Sequence, residues 1–239
     1  MGAALEATAD WLGAALRSAL MRISHGSPEI RLVAVGHLNV LPLQIARRPD
    51  CSAPTGYRYL ADELLVSFLP SAKFLPAAPG TQRAAPPDRG AVLIDAKDPT
   101  LGGTSRELDA IAEALGPRSQ RREVGDPSAL IAALRASDVA HVACHGAGDP
   151  VHPLESGLIL ASKDRVTVRD LLAEPGFAPR LVTMSACESA VSDARHPDEA
   201  VSLPTALLLA GAQAAVGSAW AVLDAPTALL MARLYDLWQ

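Results

Sequence analysis

The stretch DVAHVACHG, residues 138–146, is an apolar run that ends in a cysteine, a histidine and a glycine. Its short apolar segment predicts a strand, and the polar residues mark the end of that strand. Two interpretations are open. The stretch is either a buried strand with a polar end or one half of a catalytic site, whose other half then lies elsewhere in the chain.

Similar apolar runs recur along the chain and are separated by helical patterns. GAVLIDA (90–96) lacks polar alternation, which indicates a strand buried on both faces. SRELDAIAEAL (105–115) is typical of an amphipathic helix, with Thr104 as its N-cap. Further strands are predicted at 30–36, within 63–75, and at 156–161, 180–189 and 213–220. Further helices are predicted at 126–137, 166–174, 199–211 and 224–238.

This alternation of strands and helices predicts an α/β fold with a mostly parallel central sheet and helices on both faces. Ligands of such sheets bind at the carboxyl ends of the strands. The candidate residues are therefore those that end or follow strands, namely Asp95, Cys144-His145-Gly146, Cys187-Glu188-Ser189 and Trp220. A histidine, His145, and a cysteine, Cys187, leave the ends of two different strands, 42 residues apart in the sequence.

His145 and Cys187 are the residue types that nucleophilic hydrolysis needs. A thiol attacks as the thiolate, and an imidazole within reach can generate it and then protonate the leaving amine. The backbone N–H groups of Gly146 and Cys187 are candidate oxyanion donors, because glycine permits close backbone approach. The alternative is that Cys187 is a small buried hydrophobic residue, as free cysteines usually are.

Cys144 and His141 are interpreted as core residues. Strand alternation points Cys144 away from the face of His145, and His141 lies one layer deeper on that face. The alternative is a metal site formed by Cys144, His141, His145 and His152, but a spacing of two residues on a strand does not match common zinc sites. We expect no metal and no other cofactor.

Composition and charge argue against several classes of protein. A net charge of −5 over 239 residues argues against a nucleic-acid binder. Three cysteines, odd in number and far apart, suit a reducing cytosol rather than a disulfide framework. Acidic Glu6 and Asp10 favour an amphipathic helix over a signal peptide for the N-terminal segment. No apolar run reaches the roughly 18 residues that span a membrane, so a cytoplasmic location is expected.

Several segments, in order along the chain, carry a family resemblance: GHLNVLPLQIA (36–46), YRYLADELLVSFLPSAKFL (57–75), HVACHG (141–146), LVTMSACES (181–189) and ALLLAGAQAAVGSAWAVLDAPTALLMARLYDLW (206–238). Together they resemble the CHAT domains, a family of caspase-like (clan CD) cysteine peptidases. The resemblance implies a caspase-haemoglobinase fold and hydrolysis of a peptide bond in a protein or peptide substrate by a Cys–His dyad. Matched residue by residue, the dyad is His145 and Cys187.

The resemblance also shapes expectations about specificity and regulation. The caspase motif Gln-Ala-Cys-x-Gly is absent, so a preference for cleavage after aspartate is not implied. An activating partner domain or protein is implied. The acidic net charge and the lack of a long apolar run predict no direct contact with nucleic acid or membrane. The chain is expected to be a single peptidase domain (1–239), either isolated or a fragment of a larger protein. It would comprise a helix (1–25), a subregion (26–89) with a Pro/Ala-rich loop (76–90), and a catalytic core (90–239).

Four residues are candidate substrate-binding residues. Asp95 follows the first strand of the core, as Asp98 does. By resemblance, Asp95 lines a pocket for a basic side chain. Alternatively, Asp95 caps the adjoining loop or helix. Glu188 either orients the site or is a surface acid, and Ser218 and Trp220 either form a wall of the peptide groove or pack in the core. The loop at 189–200 is expected to be mobile and to shape the active site.

Two other functional classes are considered. The chain is alternatively a catalytically inactive CHAT-like module that binds a partner, because the sequence does not show an assembled dyad. A nucleotide- or phosphate-binding α/β enzyme is disfavoured, because no glycine-rich phosphate loop of the expected form follows a strand.

Overall fold

The chain divides within the segment predicted to be a loop or linker. The structure, a computed structural model, describes residues 2–75, 90–174, 176, 178–187, 189–190 and 201–238. The chain falls into two units, Met1–Ala77 and Ala78–Gln239. Most of the predicted loops at 76–90 and 189–200 lies outside the described residues. The single peptidase domain and its inner boundaries stay a prediction.

The first unit begins with a helix that contains one wide turn. Helices α1 (Gly2–Leu12) and α2 (Ser18–Ile23) are joined by a π-helical turn at Gly13–Arg17. A Cβ atom on Gly13 would come within 1.8 Å of the carbonyl oxygen of Arg47. Only glycine permits this approach, so the helix packs directly on the backbone of the chain segment at Arg47.

Two pairs of short strands complete the first unit. The strands are β1 (Glu29–Leu32), β2 (Arg47–Pro49), β3 (Tyr57–Tyr59) and β4 (Leu65–Phe68). Strand β1 pairs with β4 in parallel, and β2 pairs with β3 in antiparallel. The strands β1 and β4 are shorter than the apolar runs that predict them. A small aliphatic core includes Leu12, Leu43, Leu60, Leu64 and Val66.

The second unit is built around a five-stranded parallel sheet. Its elements, in chain order, are β5 (Ala91–Asp95), α3 (Thr104–Leu115), β6 (Ser119–Glu123), α4 (Pro127–Arg135), β7 (Val139–Ala143), β8 (His145–Ala147), β9 (Gly157–Ile159), β10 (Arg165–Thr167), α5 (Val168–Ala173), β11 (Leu181–Ser185), α6 (Leu203–Ala210), β12 (Ala215–Val216) and α7 (Asp224–Trp238). The strand order in the sheet is β12–β11–β7–β5–β6. The predicted α/β class is confirmed.

Helices cover both faces of this sheet because strand residues alternate between the faces. Val92 and Ile94 of β5 pack in one cluster with residues of α4, α5 and α6. Leu93 packs on the opposite face with residues of α3 and α7. Every residue of β5 and β7 is buried, which explains why the sequence of these strands lacks polar alternation.

A buried polar cluster lies between the central sheet and helices α3 and α7. Nδ1 of His141 is 2.7 Å from Oγ1 of Thr183, which is 2.5 Å from the hydroxyl of Tyr235. Nε2 of His141 faces Oε1 of Glu107 at 3.1 Å. All four side chains are almost fully buried, and burial raises the pKa of Tyr235. His141 is therefore a core residue, as predicted.

The start of α3 differs from the prediction. Thr104 is the first helical residue rather than the N-cap, and Gly103 precedes it without a side-chain cap. No side chain caps this helix start, and the side chain of Glu107 turns into the core toward His141. Helices α4, α5 and α6 do begin at side-chain caps, which are Asp126, Thr167 and Ser202.

The two edge strands depart most from the sequence prediction. Strand β6 is polar and largely exposed, and it forms because its backbone pairs with β5. Strand β12 contains only Ala215–Val216, although a strand is predicted over 213–220. After Val216 the chain leaves the sheet, and the N–H of Ser218 donates to Oγ of Ser189 at 2.9 Å.

DVAHVACHG spans two sheets, although a single strand is predicted there. Strand β7 ends at Ala143, and β8 begins at His145 within a three-stranded antiparallel sheet ordered β10–β9–β8. Between them Cys144 is buried, and its N–H donates to the carbonyl of Ser185 at 3.3 Å. His145 therefore lies at the junction of the two sheets.

Candidate active site

His145 and Cys187 follow neighbouring strands of the central sheet. Strands β7 and β11 pair directly, and each residue lies two positions after its strand ends. The two backbones approach closely, because a Cβ atom on Gly146 would come within 2.1 Å of the carbonyl oxygen of Cys187. Glycine at 146 makes this approach possible. The fold thus brings together the backbone segments that carry the two predicted catalytic residues.

The side chains of Cys187 and His145 have separate partners. The partly buried Cys187 donates through Sγ to the carbonyl oxygen of Val222 at 3.3 Å. Nε2 of His145 lies 2.7 Å from Oγ1 of Thr100, and this imidazole is 38% exposed. Within the described part of the chain, no hydrogen bond joins Cys187 to His145. The thiol is therefore turned toward a carbonyl.

The loop after β5 brings a carboxylate to His145. Oδ2 of Asp98 lies 3.7 Å from Nε2 of His145. Oδ1 of Asp98 accepts hydrogen bonds from the hydroxyl of Thr100 at 2.6 Å and from its N–H at 2.9 Å. These two hydrogen bonds hold the pKa of Asp98 below its usual value. Asp98 is therefore a carboxylate at neutral pH.

Asp95 is buried beneath this loop. Its Oδ1 accepts from the N–H of Lys97 and its Oδ2 from the guanidinium of Arg121, both at 2.8 Å. Burial opposes ionisation, but the hydrogen bonds from Arg121 and Lys97 outweigh it, and the pKa of Asp95 is lowered. Both oxygens are engaged, which favours the interpretation that Asp95 holds the loop. Its role in a substrate pocket stays a prediction.

The segment after β12 is tied to the turn that carries Cys187. The N–H of Ser218 donates to Oγ of Ser189, and its carbonyl accepts from the N–H of Ala190 at 2.8 Å. Ser218 and Trp220 are partly buried in this segment. Glu188, the fourth predicted substrate-binding residue, lies outside the described residues.

Val222 and Asp224 connect this segment to Cys187 and to the loop after β5, respectively. The carbonyl of Val222 accepts the thiol hydrogen of Cys187, and Oδ2 of Asp224 accepts from the N–H of Gly103 at 2.7 Å. Sequence reasoning missed Val222 and Thr100. The motif DPT (98–100) could have indicated Thr100, because an aspartate often accepts a hydrogen bond from the backbone two residues later in an Asx turn.

Cys144 belongs to the core, as predicted. It is 1% exposed, and burial raises the pKa of its thiol to about 12. Such a thiol is a poor nucleophile at neutral pH.

Among the described residues, no group of three or more His, Cys, Asp or Glu side chains has the arrangement of a metal site. In the same part of the chain, no helix has the length and apolar character that a membrane crossing requires.

Comparison with models of protein families gives one result that covers nearly the whole chain. The model of the CHAT domain matches residues 2–239. A comparison with curated proteins gives no match. The match spans both units and includes His145, Gly146 and Cys187. The chain therefore belongs to the CHAT domain family, a caspase-like family related to cysteine peptidases.

Proposed function

We propose that the chain is a cysteine endopeptidase with a caspase-haemoglobinase-like fold. Cys187 is its nucleophile, and His145 is its general base and general acid. The observation that carries the proposal is the close backbone approach of Gly146 and Cys187 at the ends of two paired strands. It puts a thiol and an imidazole on adjoining segments at the edge where α/β sheets bind ligands. Membership of a family related to cysteine peptidases supports the same assignment.

The proposed reaction has two stages. His145 accepts the thiol proton, and the thiolate of Cys187 attacks the substrate carbonyl carbon. The N–H groups of Gly146 and Cys187 stabilise the oxyanion that results. The C–N bond then breaks as His145 protonates the leaving amine, and an acyl group remains on Cys187. In the second stage, water gives a proton to His145 as its oxygen bonds to the acyl carbon; the C–S bond then breaks, His145 returns the proton to Sγ of Cys187, and the carboxylic acid leaves.

The proposed enzyme also depends on an activating partner domain or protein. The thiol of Cys187 donates to the carbonyl of Val222, and this contact keeps its proton from His145. Reaction requires the Sγ atom to leave Val222 and turn to the imidazole. A partner that moves the segment after β12 would release the thiol, because Val222 belongs to that segment.

The substrate groove is proposed to run along the carboxyl edge of the sheet. Ser218 and Trp220, which follow β12, form one wall, and Glu188 contributes next to the nucleophile. The backbone of Ser218 is already tied to the turn after Cys187, which supports a place for this wall beside the nucleophile. Asp95 contributes to specificity only if substrate displaces its contacts to Arg121 and Lys97.

Cleavage of a peptide library tests the proposal. The purified chain is incubated with the library alone and with candidate activators, beside Cys187→Ala and a matched control, Cys51→Ala. Cys51 is an exposed free cysteine in the first unit, so its removal leaves cleavage unchanged. We expect Cys187→Ala to abolish cleavage. Cleavage that survives this substitution would refute the mechanism.

A non-catalytic interaction module is the second candidate. The contact between Cys187 Sγ and Val222 favours it, because the thiol is not bonded to the imidazole. Under this alternative, a partner binds the wild-type chain and Cys187→Ala equally, and no peptide is cleaved in its presence. Cleavage by the wild-type chain on partner binding would exclude it.

A further inference from the structure

We infer that Asp98, acting through the hydroxyl of Thr100, fixes His145 as the tautomer that carries its proton on Nε2 and leaves Nδ1 free to act as the base. Asp98 and Thr100 are therefore positioning residues. The inferred role of Nδ1 rests on the proposed function, whereas the tautomer itself is a property of the resting protein.

The inference follows from the one hydrogen on the Thr100 hydroxyl. That hydroxyl donates to Oδ1 of Asp98 at 2.6 Å. Because its hydrogen is used there, Oγ1 can only accept in its 2.7 Å contact with Nε2 of His145. Nε2 must then carry a hydrogen. A neutral imidazole has a hydrogen on only one nitrogen, so Nδ1 holds the free lone pair.

The direction of the Thr100 hydroxyl is itself determined by charge. Asp98 is ionised at neutral pH, because the hydrogen bonds from Thr100 lower its pKa. A carboxylate only accepts hydrogen bonds, so the Thr100 hydroxyl cannot be the acceptor in that contact. The other oxygen, Oδ2, lies 3.7 Å from Nε2.

The free nitrogen is on the side of the ring that suits the proposed reaction. Nδ1 is bonded to the ring carbon that joins the ring to its own Cβ, so it is the nitrogen nearer the backbone. The backbone beside His145, at Gly146, is the part of the chain in close approach to Cys187. The farther nitrogen, Nε2, is the one taken by Thr100.

The loop that carries Asp98 and Thr100 is held from several directions. The N–H of Lys97 donates to buried Asp95, and Lys97 has a left-handed backbone with a φ of 55°, which is uncommon for a non-glycine residue. The N–H of Leu101 donates to the carbonyl of Asp98 at 3.2 Å. Gly103 is bonded to Asp224. The loop therefore presents Asp98 and Thr100 to His145 in one defined geometry.

Nitrogen NMR of histidine-labelled protein tests the tautomer directly. The experiment compares the wild type, Thr100→Val, Thr100→Ser and Asp98→Asn, each at a pH at which the ring of His145 is neutral. Thr100→Val keeps the shape and the N–H bond to Asp98 but removes the hydroxyl. We expect the Nε2–H form in the wild type and a several-fold rise of the Nδ1–H form in Thr100→Val. Thr100→Ser restores the wild-type spectrum, and Thr55→Val, the same change in an exposed loop of the first unit, leaves it unchanged.

Kinetics provides the second readout. We expect Thr100→Val to lower kcat by about 10- to 100-fold, a part of what general acid–base catalysis contributes, with KM nearly unchanged. Asp98→Asn lowers kcat too but keeps the Nε2–H form, because the backbone N–H of Thr100 also donates to this position and so holds the amide oxygen there as the acceptor of the Thr100 hydroxyl. A resting wild type in the Nδ1–H form overturns the inference, as does a Thr100→Val variant with unchanged kcat.

The two proposals fail separately. If no variant cleaves peptide but the tautomer shifts as expected, the proposed function fails and the tautomer assignment stands. If Cys187 and His145 are needed for cleavage but Thr100→Val changes neither tautomer nor kcat, the peptidase stands and the role of Asp98 and Thr100 fails.

Discussion

Gly146→Ala tests whether the site depends on the close approach of the two backbone segments that carry His145 and Cys187. A Cβ atom at position 146 would lie 2.1 Å from the carbonyl oxygen of Cys187, where ordinary contact begins at 3.4 Å. It would also lie 3.2 Å from the carbonyl carbon of Cys187 and 3.3 Å from Cβ of Ala186. Rotating a side chain cannot relieve this overlap, because the closest atom belongs to the backbone. The two segments must therefore separate by about an ångström.

The separation is expected to reduce both stability and activity. Overpacking a well-packed site costs about 1–3 kcal/mol, and contact with backbone rather than a flexible side chain favours the upper half of that range. A displacement of about 1 Å in a catalytic constellation can lower the rate by about 100-fold. We expect Gly146→Ala to unfold at lower urea concentration and to lose most of any peptidase activity.

Urea denaturation and peptide cleavage are measured beside Gly125→Ala as the matched control. A Cβ atom at position 125 would have no heavy atom within 4 Å, and the backbone there is not left-handed, so this substitution changes stability by less than about 1 kcal/mol. A Gly146→Ala variant with wild-type stability and wild-type cleavage would show that the close approach of the two segments is not needed, and would refute the reasoning.

Two further predictions concern buried polar groups. Tyr235→Phe removes the hydroxyl that lies 2.5 Å from Oγ1 of Thr183, and we expect a loss of about 0.5–1.5 kcal/mol in urea denaturation, because one buried hydrogen bond is lost while Thr183 keeps its contact with Nδ1 of His141. An unchanged midpoint would contradict the hydrogen bond. Arg121→Ala removes the partner of buried Asp95, and we expect a loss of about 1–2 kcal/mol at pH 7, since Arg121 itself is one-third exposed. The pKa of Asp95 is lowered in the folded protein, so this contribution is present above its unfolded pKa of about 3.9 and is lost as the pH falls through the folded value. A difference between Arg121→Ala and wild type that grows on acidification would contradict this assignment.

The sequence was most informative where burial is strongest. GAVLIDA predicts a strand buried on both faces, and the structure has β5 there with every residue buried. The predicted helix at 224–238 has the same bounds as α7, and Cys144 and His141 are core residues as expected. These features can be predicted because the pattern of apolar residues, whether unbroken or periodic, indicates which faces of an element are buried.

Edge elements and side-chain partners were much less readable. The polar sequence of β6 gives no strand signal, because an edge strand is stabilised by backbone pairing with its neighbour rather than by burial of its side chains. Thr104 is helical rather than the predicted N-cap, and the side chain of Glu107 turns to His141, a residue of a distant strand. In both cases the decisive contact is made by a partner that the local sequence does not contain.

The sequence by itself determined the α/β class and the positions of His145 and Cys187 after two strands, because apolar patterns and the order of elements along the chain are properties of the sequence. Only the tertiary structure decided which partners these two side chains have. Thr100 is 45 residues from His145, and Val222 is 35 residues from Cys187. Such contacts depend on how loops from separate strands close over one edge of the sheet, and hydrogen-bond geometry at that edge is set by the packed backbone rather than by any local pattern.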